Sequence, residues 1–306
     1  MDYHLPVMLN ECIEGLNIRP DGTYVDATFG GGGHSRAILS LLGDGGRLIA
    51  FDQDADALAN ALDDPRFTLL NENFRHAKSF LRLHGVRKVD GLLADLGVSS
   101  HQFDVAERGF STRYEGTLDL RMDQRQELTA RDIVNSADEQ DLERILRLYG
   151  ELPNARQMAR AIVAARATKP IETTFDLREA VSRHLPRGQE NRRLAGENKC
   201  LAMLFQALRI EVNGELDALQ ALLQQSLDLL NPGGRLVVMS YHSLEDRLVK
   251  NFFKTGNFEG VLEKDFYGNP LVPLKLVTRK AVTASEEELQ RNNRARSAKL
   301  RVAERI

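Results

Sequence analysis

Thr23-Tyr24-Val25-Asp26-Ala27-Thr28-Phe29-Gly30-Gly31-Gly32-Gly33-His34-Ser35 decides the fold. A short strand pattern runs into a glycine cluster, and a helix pattern follows over residues 34–42. With no Cβ, glycine backbone can turn sharply and let a ligand approach closely. The helix that follows presents free N–H groups and the positive end of its dipole to an anion. In a dinucleotide site that anion is a pyrophosphate; in a methyl-transfer site it is an amino-acid carboxylate.

The same alternation continues outward. Residues 47–52, 67–70 and 89–95 read as strands, and 55–62 and 74–83 as helices. Strands alternating with helices predict parallel pairing through right-handed crossovers, and the nearly continuous apolar runs fit strands covered on both faces. From Gly109 to Met203 the strand pattern stops. A helix is expected near Ser136, with Glu139 completing a capping box and Leu142, Ile145, Leu146 and Tyr149 on one face. Further helices are expected over 155–167 and after Thr173-Thr174, the latter carrying Phe175, Leu177 and Val181. The pattern then resumes. Leu216, Leu219, Leu223, Leu227 and Leu230 mark a long amphipathic helix that ends at Asn231-Pro232-Gly233-Gly234. Residues 235–240 are a strand, 244–253 a helix, and 275–278 with 299–302 an antiparallel pair; 284–296 is a loop or frayed helix. The fold class is therefore α/β, a Rossmann-like sheet domain of residues 1–108 and 204–306 interrupted by a helical insertion, 109–203.

The remaining composition narrows the classes. The chain has 306 residues and a net charge of −3, which argues against nonspecific whole-surface binding to nucleic acid. Two local basic clusters remain: Arg291, Arg294, Arg296, Lys299 and Arg301, and a set in the insertion that includes Arg156, Arg160, Arg166, Lys169, Arg192 and Arg193. Such clusters can neutralise phosphates, or be ordinary solvated faces. Cys12 and Cys200 lie far apart, with no metal-ligand spacing around them, so neither a disulfide framework nor a metal site is expected. The start, Met1-Asp2-Tyr3-His4-Leu5-Pro6, does not read as a signal peptide, and no run is long enough to span a bilayer; a cytoplasmic protein is expected.

In an open parallel sheet, ligands bind beyond the carboxyl ends of the strands. Each predicted strand ends in polar residues: Asp26 and Thr28, Asp52 and Asp54, Asn71 and Asn73, Asp95 with Ser99, Ser100 and Gln102, and Ser240-Tyr241-His242-Ser243. Asp52 is placed to accept ribose hydroxyls, with a helix cap as the plainer role. Phe74 can stack on a purine or anchor the following helix. Asp95 sits where a transferred group would lie, and His242 can accept a proton or serve as a structural cap.

Longer motifs then carry a resemblance. They are His4-Leu5-Pro6-Val7-Met8, Asp26 through Ser35, Asp95-Leu96-Gly97-Val98-Ser99-Ser100 with Gln102, Glu107-Arg108-Gly109-Phe110-Ser111, Leu118-Asp119-Leu120-Arg121-Met122-Asp123, Phe205 through Ile210 with Val212-Asn213, Ser240 through Arg247, and Arg294 through Arg301. Together they resemble the MraW/RsmH family of 16S rRNA (cytosine-N4)-methyltransferases over essentially the whole chain. The resemblance implies a class I methyltransferase sheet and S-adenosylmethionine as donor, giving S-adenosylhomocysteine. It implies donor contacts at Gly32, Gly33, His34, Asp52, Phe74, Asp95 and Gln102. It implies a cytidine in the decoding region of 16S rRNA, within the small ribosomal subunit, as substrate. Asp95, or the adjacent carbonyl, is then expected to accept hydrogen bonds from N4, with His242 as a second catalytic candidate. Ser99, Ser100, Tyr241, Arg192 and Arg193 are candidate substrate contacts, with Tyr241, His242 and Phe110 as candidates to stack on the base. A homodimer is left open. The alternatives are a methyltransferase acting on another nucleic acid, a nicotinamide-dependent oxidoreductase, and a cofactor-binding module without turnover; donor identity by calorimetry separates them.

Overall fold

Neighbouring residues along the strands go to opposite cores. Val25, Ile49, Phe51, Leu92, Ala94, Leu236 and Val238 join one apolar cluster with Leu219, Leu222, Leu223, Phe252 and Phe253. Tyr24, Leu48, Leu93, Val237 and Met239 join another with Cys12, Leu16, Ile38 and Leu39. This period of two, apolar on both sides, is why the runs look continuous in sequence. Full burial of each large apolar side chain contributes roughly 1.5–3 kcal/mol. The computed structural model describes residues 6–186 and 190–306, without the side chains of 190–193. His4 and Leu5 of the opening motif, and the side chains of Arg192 and Arg193, therefore lie outside the described residues.

The strands are β1 (Thr23–Asp26), β2 (Arg47–Phe51), β3 (Phe67–Leu70), β4 (Val89–Asp95), β5 (Leu230–Ser240), β6 (Leu274–Leu276) and β7 (Lys299–Arg305). Their order is β3-β2-β1-β4-β5-β7-β6. β1 to β5 pair in parallel, and β7 runs antiparallel between β5 and β6. The order reverses direction between β1 and β4, which opens a crevice beyond their carboxyl ends.

Several local expectations shift. Residues 55–60 form a 3-10 helix rather than an α-helix, capped by the Asp54 side chain and ended by extended backbone at Ala61. Residues 74–76 are likewise 3-10, followed by an α-helix at Ala77–Leu83. β5 begins at Leu230 rather than at 235: Leu230 pairs with Val89 and Arg235 with Gly91, so Asn231-Pro232-Gly233-Gly234 forms a bulge. Asp90 steadies that edge, accepting from Asn231 Nδ2 and from the Thr23 amide, both at 2.9 Å.

The chain divides into two compact units, one of residues up to Gly97 with Leu216–Ile306, the other Val98–Glu215. These bounds lie outside the expected 109–203. Arg108 explains the first: buried, it donates to the carbonyls of Arg121 and Met122 at 3.0 and 3.1 Å, within the helical unit. The second follows from a helix of 24 residues, Glu190–Asn213, that runs unbroken through Met203. Asn213 ends it and pins the Leu118–Asp123 motif. Its Oδ1 accepts from the Met122 amide at 2.7 Å, and its Nδ2 donates to the Leu120 carbonyl at 2.8 Å. Within this unit Ser136 closes a helix, Ala130–Ser136, instead of opening one. Ala137 is extended, and Asp138 caps the helix Glu139–Leu148, its carboxylate accepting from the Asp141 amide at 2.8 Å. Leu142, Ile145, Leu146, Leu177 and Val181 are buried in the unit's core as expected, whereas Phe175 is exposed. Among the described residues no helix is long and apolar enough to cross a membrane.

Candidate active site

The glycine cluster turns between β1 and the helix Gly33–Leu41. Gly30 and Gly32 take φ of 51° and 74°, backbone that glycine adopts without penalty. No atom lies within 4 Å of where a Cβ would stand on Gly30 or Gly31, so this rim is open. Gly33 has the opposite reason: a Cβ there would meet Pro6 at 2.8 Å. Asp52, at the end of β2, holds the loop. Its Oδ2 accepts from the Gly30 amide at 2.7 Å, and its Oδ1 from the Asp54 amide at 2.9 Å. Burial pushes the Asp52 carboxyl up to about 6, against the pull of those two amides. Each oxygen retains acceptor capacity, as a diol contact requires.

Asp95, at the end of β4, is the centre of a second cluster. Its amide donates to Thr28 Oγ1 at 2.7 Å. Its Oδ1 accepts from the Tyr241 hydroxyl at 2.7 Å, and its Oδ2 faces His34 Nδ1 at 3.8 Å. Burial raises the Asp95 carboxyl to about 6, while His34 and the Tyr241 hydrogen bond pull it down. Asp26, buried below, accepts from Ser35 Oγ at 2.7 Å and from the Thr28 amide at 3.1 Å; burial raises its carboxyl too.

Other expected residues have different places. Phe74 is half-buried and packs on the apolar cluster under the sheet, the anchoring role rather than an open ring. His242 caps the helix Ser243–Thr255: its Nδ1 accepts from the Glu245 amide at 3.5 Å, and its Nε2 lies 3.2 Å from Glu245 Oε1. Glu245 in turn accepts from the Tyr241 amide at 2.9 Å. The geometry thus shows His242 as the cap of this helix. Ser99, Ser100 and Gln102 belong to the helical unit. There Ser99 and Gln102 form a capping box, the Gln102 amide donating to Ser99 Oγ at 3.2 Å and the Ser99 amide to Gln102 Oε1 at 3.1 Å. Phe110 is buried in that unit's core and offers no face to a base. Many of the basic side chains are paired: Arg160 with Glu139 at 2.8 Å, Lys169 with Asp176 at 2.8 Å, and both Lys299 and Arg301 with Asp246 at 3.2 and 2.8 Å.

Sequence reading placed Thr28 among the polar residues at the strand ends but did not single out Ser35 or Glu245 as site residues. Glu245 had a signal, since its spacing three after His242 is that of a capping box. Ser35 had none, because its partner is fixed by the turn.

The MraW methylase family model matches residues 1–306. The chain is 58% identical over 306 residues to Ribosomal RNA small subunit methyltransferase H of Flavobacterium johnsoniae, covering 100% of this chain and 99% of that one. It is 54% identical over 305 residues to the protein of the same name from Bacteroides thetaiotaomicron, covering 100% of this chain and 98% of that one. A solved rRNA methylase from Streptococcus thermophilus superposes over 97% of this chain and 93% of that one at 13% identity and a TM-score of 0.41, too loose to add to the strand order.

Proposed function

The chain belongs to the MraW methylase family, and we propose that it transfers a methyl group from S-adenosylmethionine to the exocyclic N4 of a cytidine in 16S rRNA, acting on the small ribosomal subunit in the cytoplasm. The observation that carries the chemistry is Asp95: a carboxylate at the crevice between β1 and β4, with Tyr241 and His34 on its two oxygens. The residues fit the donor. The open rim at Gly30 and Gly31 is a cradle without side chains, Gly33 opens a helix whose amides suit a carboxylate, and Asp52 offers acceptors for ribose hydroxyls. When bound, S-adenosylmethionine supplies an electrophilic methyl group on a cationic sulfur.

The amine of cytosine is a poor nucleophile because its lone pair is delocalised into the ring. Asp95 accepts a hydrogen bond from N4, which draws the lone pair back to nitrogen and orients it. Since the carboxyl titrates at about 6, Asp95 is ionised and able to accept at neutral pH. As N4 bonds to carbon it sheds one proton, and Asp95 is the acceptor at hand. Phe74 and Gln102 stay in this reading as donor contacts, and Ser99 and Ser100 as substrate contacts.

Incubation with S-adenosylmethionine and small subunits from cells lacking the modification tests the reading. One N4-methylcytidine in the digested RNA is the expected product. Donor binding without any methylated RNA would leave a cofactor-binding module. The helical unit is assigned to RNA recognition, with Arg192 and Arg193 as contacts. Reversing both to Glu is expected to weaken retention of the subunit roughly tenfold at moderate salt, with donor affinity unchanged by calorimetry. Unaltered retention would remove the pair from the interface.

A further inference from the structure

We propose that Tyr241 and His34 are positioning residues for Asp95, each assigned to one of its two carboxylate oxygens, so that the carboxylate is held in one orientation toward the amine. This rests on the methyl-transfer reading of the site.

Three elements converge to make the clamp. Asp95 ends β4 and pairs with Met239 on β5, so Tyr241, two residues on, emerges beside it. The Tyr241 amide is tied to Glu245 Oε2 at 2.9 Å, which fixes the backbone, and its hydroxyl donates to Asp95 Oδ1 at 2.7 Å. Its ring lies over Gly97, where φ is 98° and a Cβ would come 3.4 Å from Tyr241 Cδ2. The turn after Asp95 thus brings ring and carboxylate together. Burial and the adjacent Asp95 raise the Tyr241 phenol, so it remains a donor across the working pH range.

His34 serves the other oxygen. It is buried, and its Nε2 lies 3.1 Å from the Val7 carbonyl, which can only accept. Nε2 therefore carries a proton, and Nδ1 faces Asp95 Oδ2 at 3.8 Å, where it attracts that oxygen when the ring is the cation with both nitrogens protonated. The groups facing Asp95 are His34 and Tyr241, which favour its charged form, and Asp26 and Glu245, which oppose it. The buried Cys12 thiol also feels the Asp95 charge. Tyr241 thus has an assignment other than stacking on the base, and His34 one other than contact with the donor. A hydroxyl that bonds the carboxylate stabilises the ionised form, so its removal must raise the proton affinity of Asp95.

The test is Tyr241→Phe, which keeps the ring and removes the donor. In the cofactor-free protein, the Asp95 carboxyl carbon followed by 13C NMR is expected to titrate at about 6, and about one pH unit higher in Tyr241→Phe. In turnover, the acidic limb of the kcat profile moves up with it. At pH 7 the shifted titration alone lowers kcat roughly twofold, loss of the fixed orientation lowers it further, and KM for the donor holds. His34→Asn moves the midpoint the same way and serves as the second variant. An unmoved titration in both folded variants overturns the proposal. A shifted titration in a protein whose natural form methylates no RNA supports the clamp and strikes only at the reaction assigned to it.

Discussion

Asp95→Asn is expected to lower the rate of methyl transfer by at least about a hundredfold at pH 7.5, with the donor still bound by calorimetry. The same substitution is expected to make the cofactor-free protein more heat-stable. The first effect follows from chemistry: an amide is a weaker acceptor than a carboxylate and cannot take up the proton that N4 sheds. The second follows from burial. The Asp95 carboxyl is raised from 3.8 to about 6. Below the unfolded value both states hold the proton, and the native state keeps its full advantage. Between those values the unfolded chain releases its proton first. Above about 6 the native state must carry a buried charge, and a contribution of about 3 kcal/mol has been lost. Asn has no such charge and still accepts the Tyr241 hydroxyl on its side-chain oxygen. The melting temperature of Asp95→Asn should therefore exceed that of the natural protein by a few degrees at pH 8, and the gain should vanish by about pH 4. A variant that retains its rate within twofold would show that another group orients the amine. The paired outcome, lower activity with greater stability, is what a carboxylate kept for function in a poorly solvated place produces.

Gly116→Ala is expected to unfold much of the helical unit. A Cβ at this position would stand 1.8 Å from the Ala106 carbonyl oxygen and 2.7 Å from its carbon. Those are backbone atoms, which cannot rotate aside as a side chain can. Gly116 is also tied on its other side: its amide donates to Thr174 Oγ1 at 3.2 Å, and its carbonyl accepts from the Thr174 amide at 3.0 Å. Thr117 bridges Thr173 next to it. Relief of the clash must break this seam, which joins the loop to the start of the helix Thr174–Val181. A loss of about 3 kcal/mol or more is expected. Hydrogen exchange mapped by peptide should show protection falling across 98–215 and persisting in the sheet. Gly85→Ala is the control: φ is 76° there, but nothing lies within 4 Å of the added carbon, so its cost is only about 1–2 kcal/mol. Equal protection in the two variants would mean that the seam yields easily.

The parts of the site that were legible in the sequence are those set by local rules. The glycine cluster, Asp52 at the end of β2 and Asp95 at the end of β4 all sit where a parallel sheet places ligands. Strand ends can be read from periodicity and turn residues. His242 was legible both as a proton acceptor and as a cap, and only the structure puts its Nδ1 on the Glu245 amide. Phe74 and Phe110 illustrate the same gap. An aromatic near a site has the same sequence signature whether it faces ligand or core; here the packing puts Phe110 in the apolar interior of its unit and rests the half-buried Phe74 against the cluster of its own. The bounds of the helical unit differ from the expected ones because a single helix, Glu190–Asn213, runs unbroken across the expected boundary.

By itself the sequence determined which segments are strands, that the strands are parallel and covered on both faces, that a helical unit interrupts them, and that acidic residues end β1, β2 and β4. These follow from patterns that repeat within a few residues, which the chain carries whatever it packs against. The tertiary structure alone decided that Tyr241 meets Asp95 across 146 positions and that His34 faces the other oxygen. It also decided that the β5 entry bulges and that β7, expected as the antiparallel partner of β6, lies between β6 and β5. Those depend on strand register and strand order, which arise when separate segments pair, and no local period encodes them.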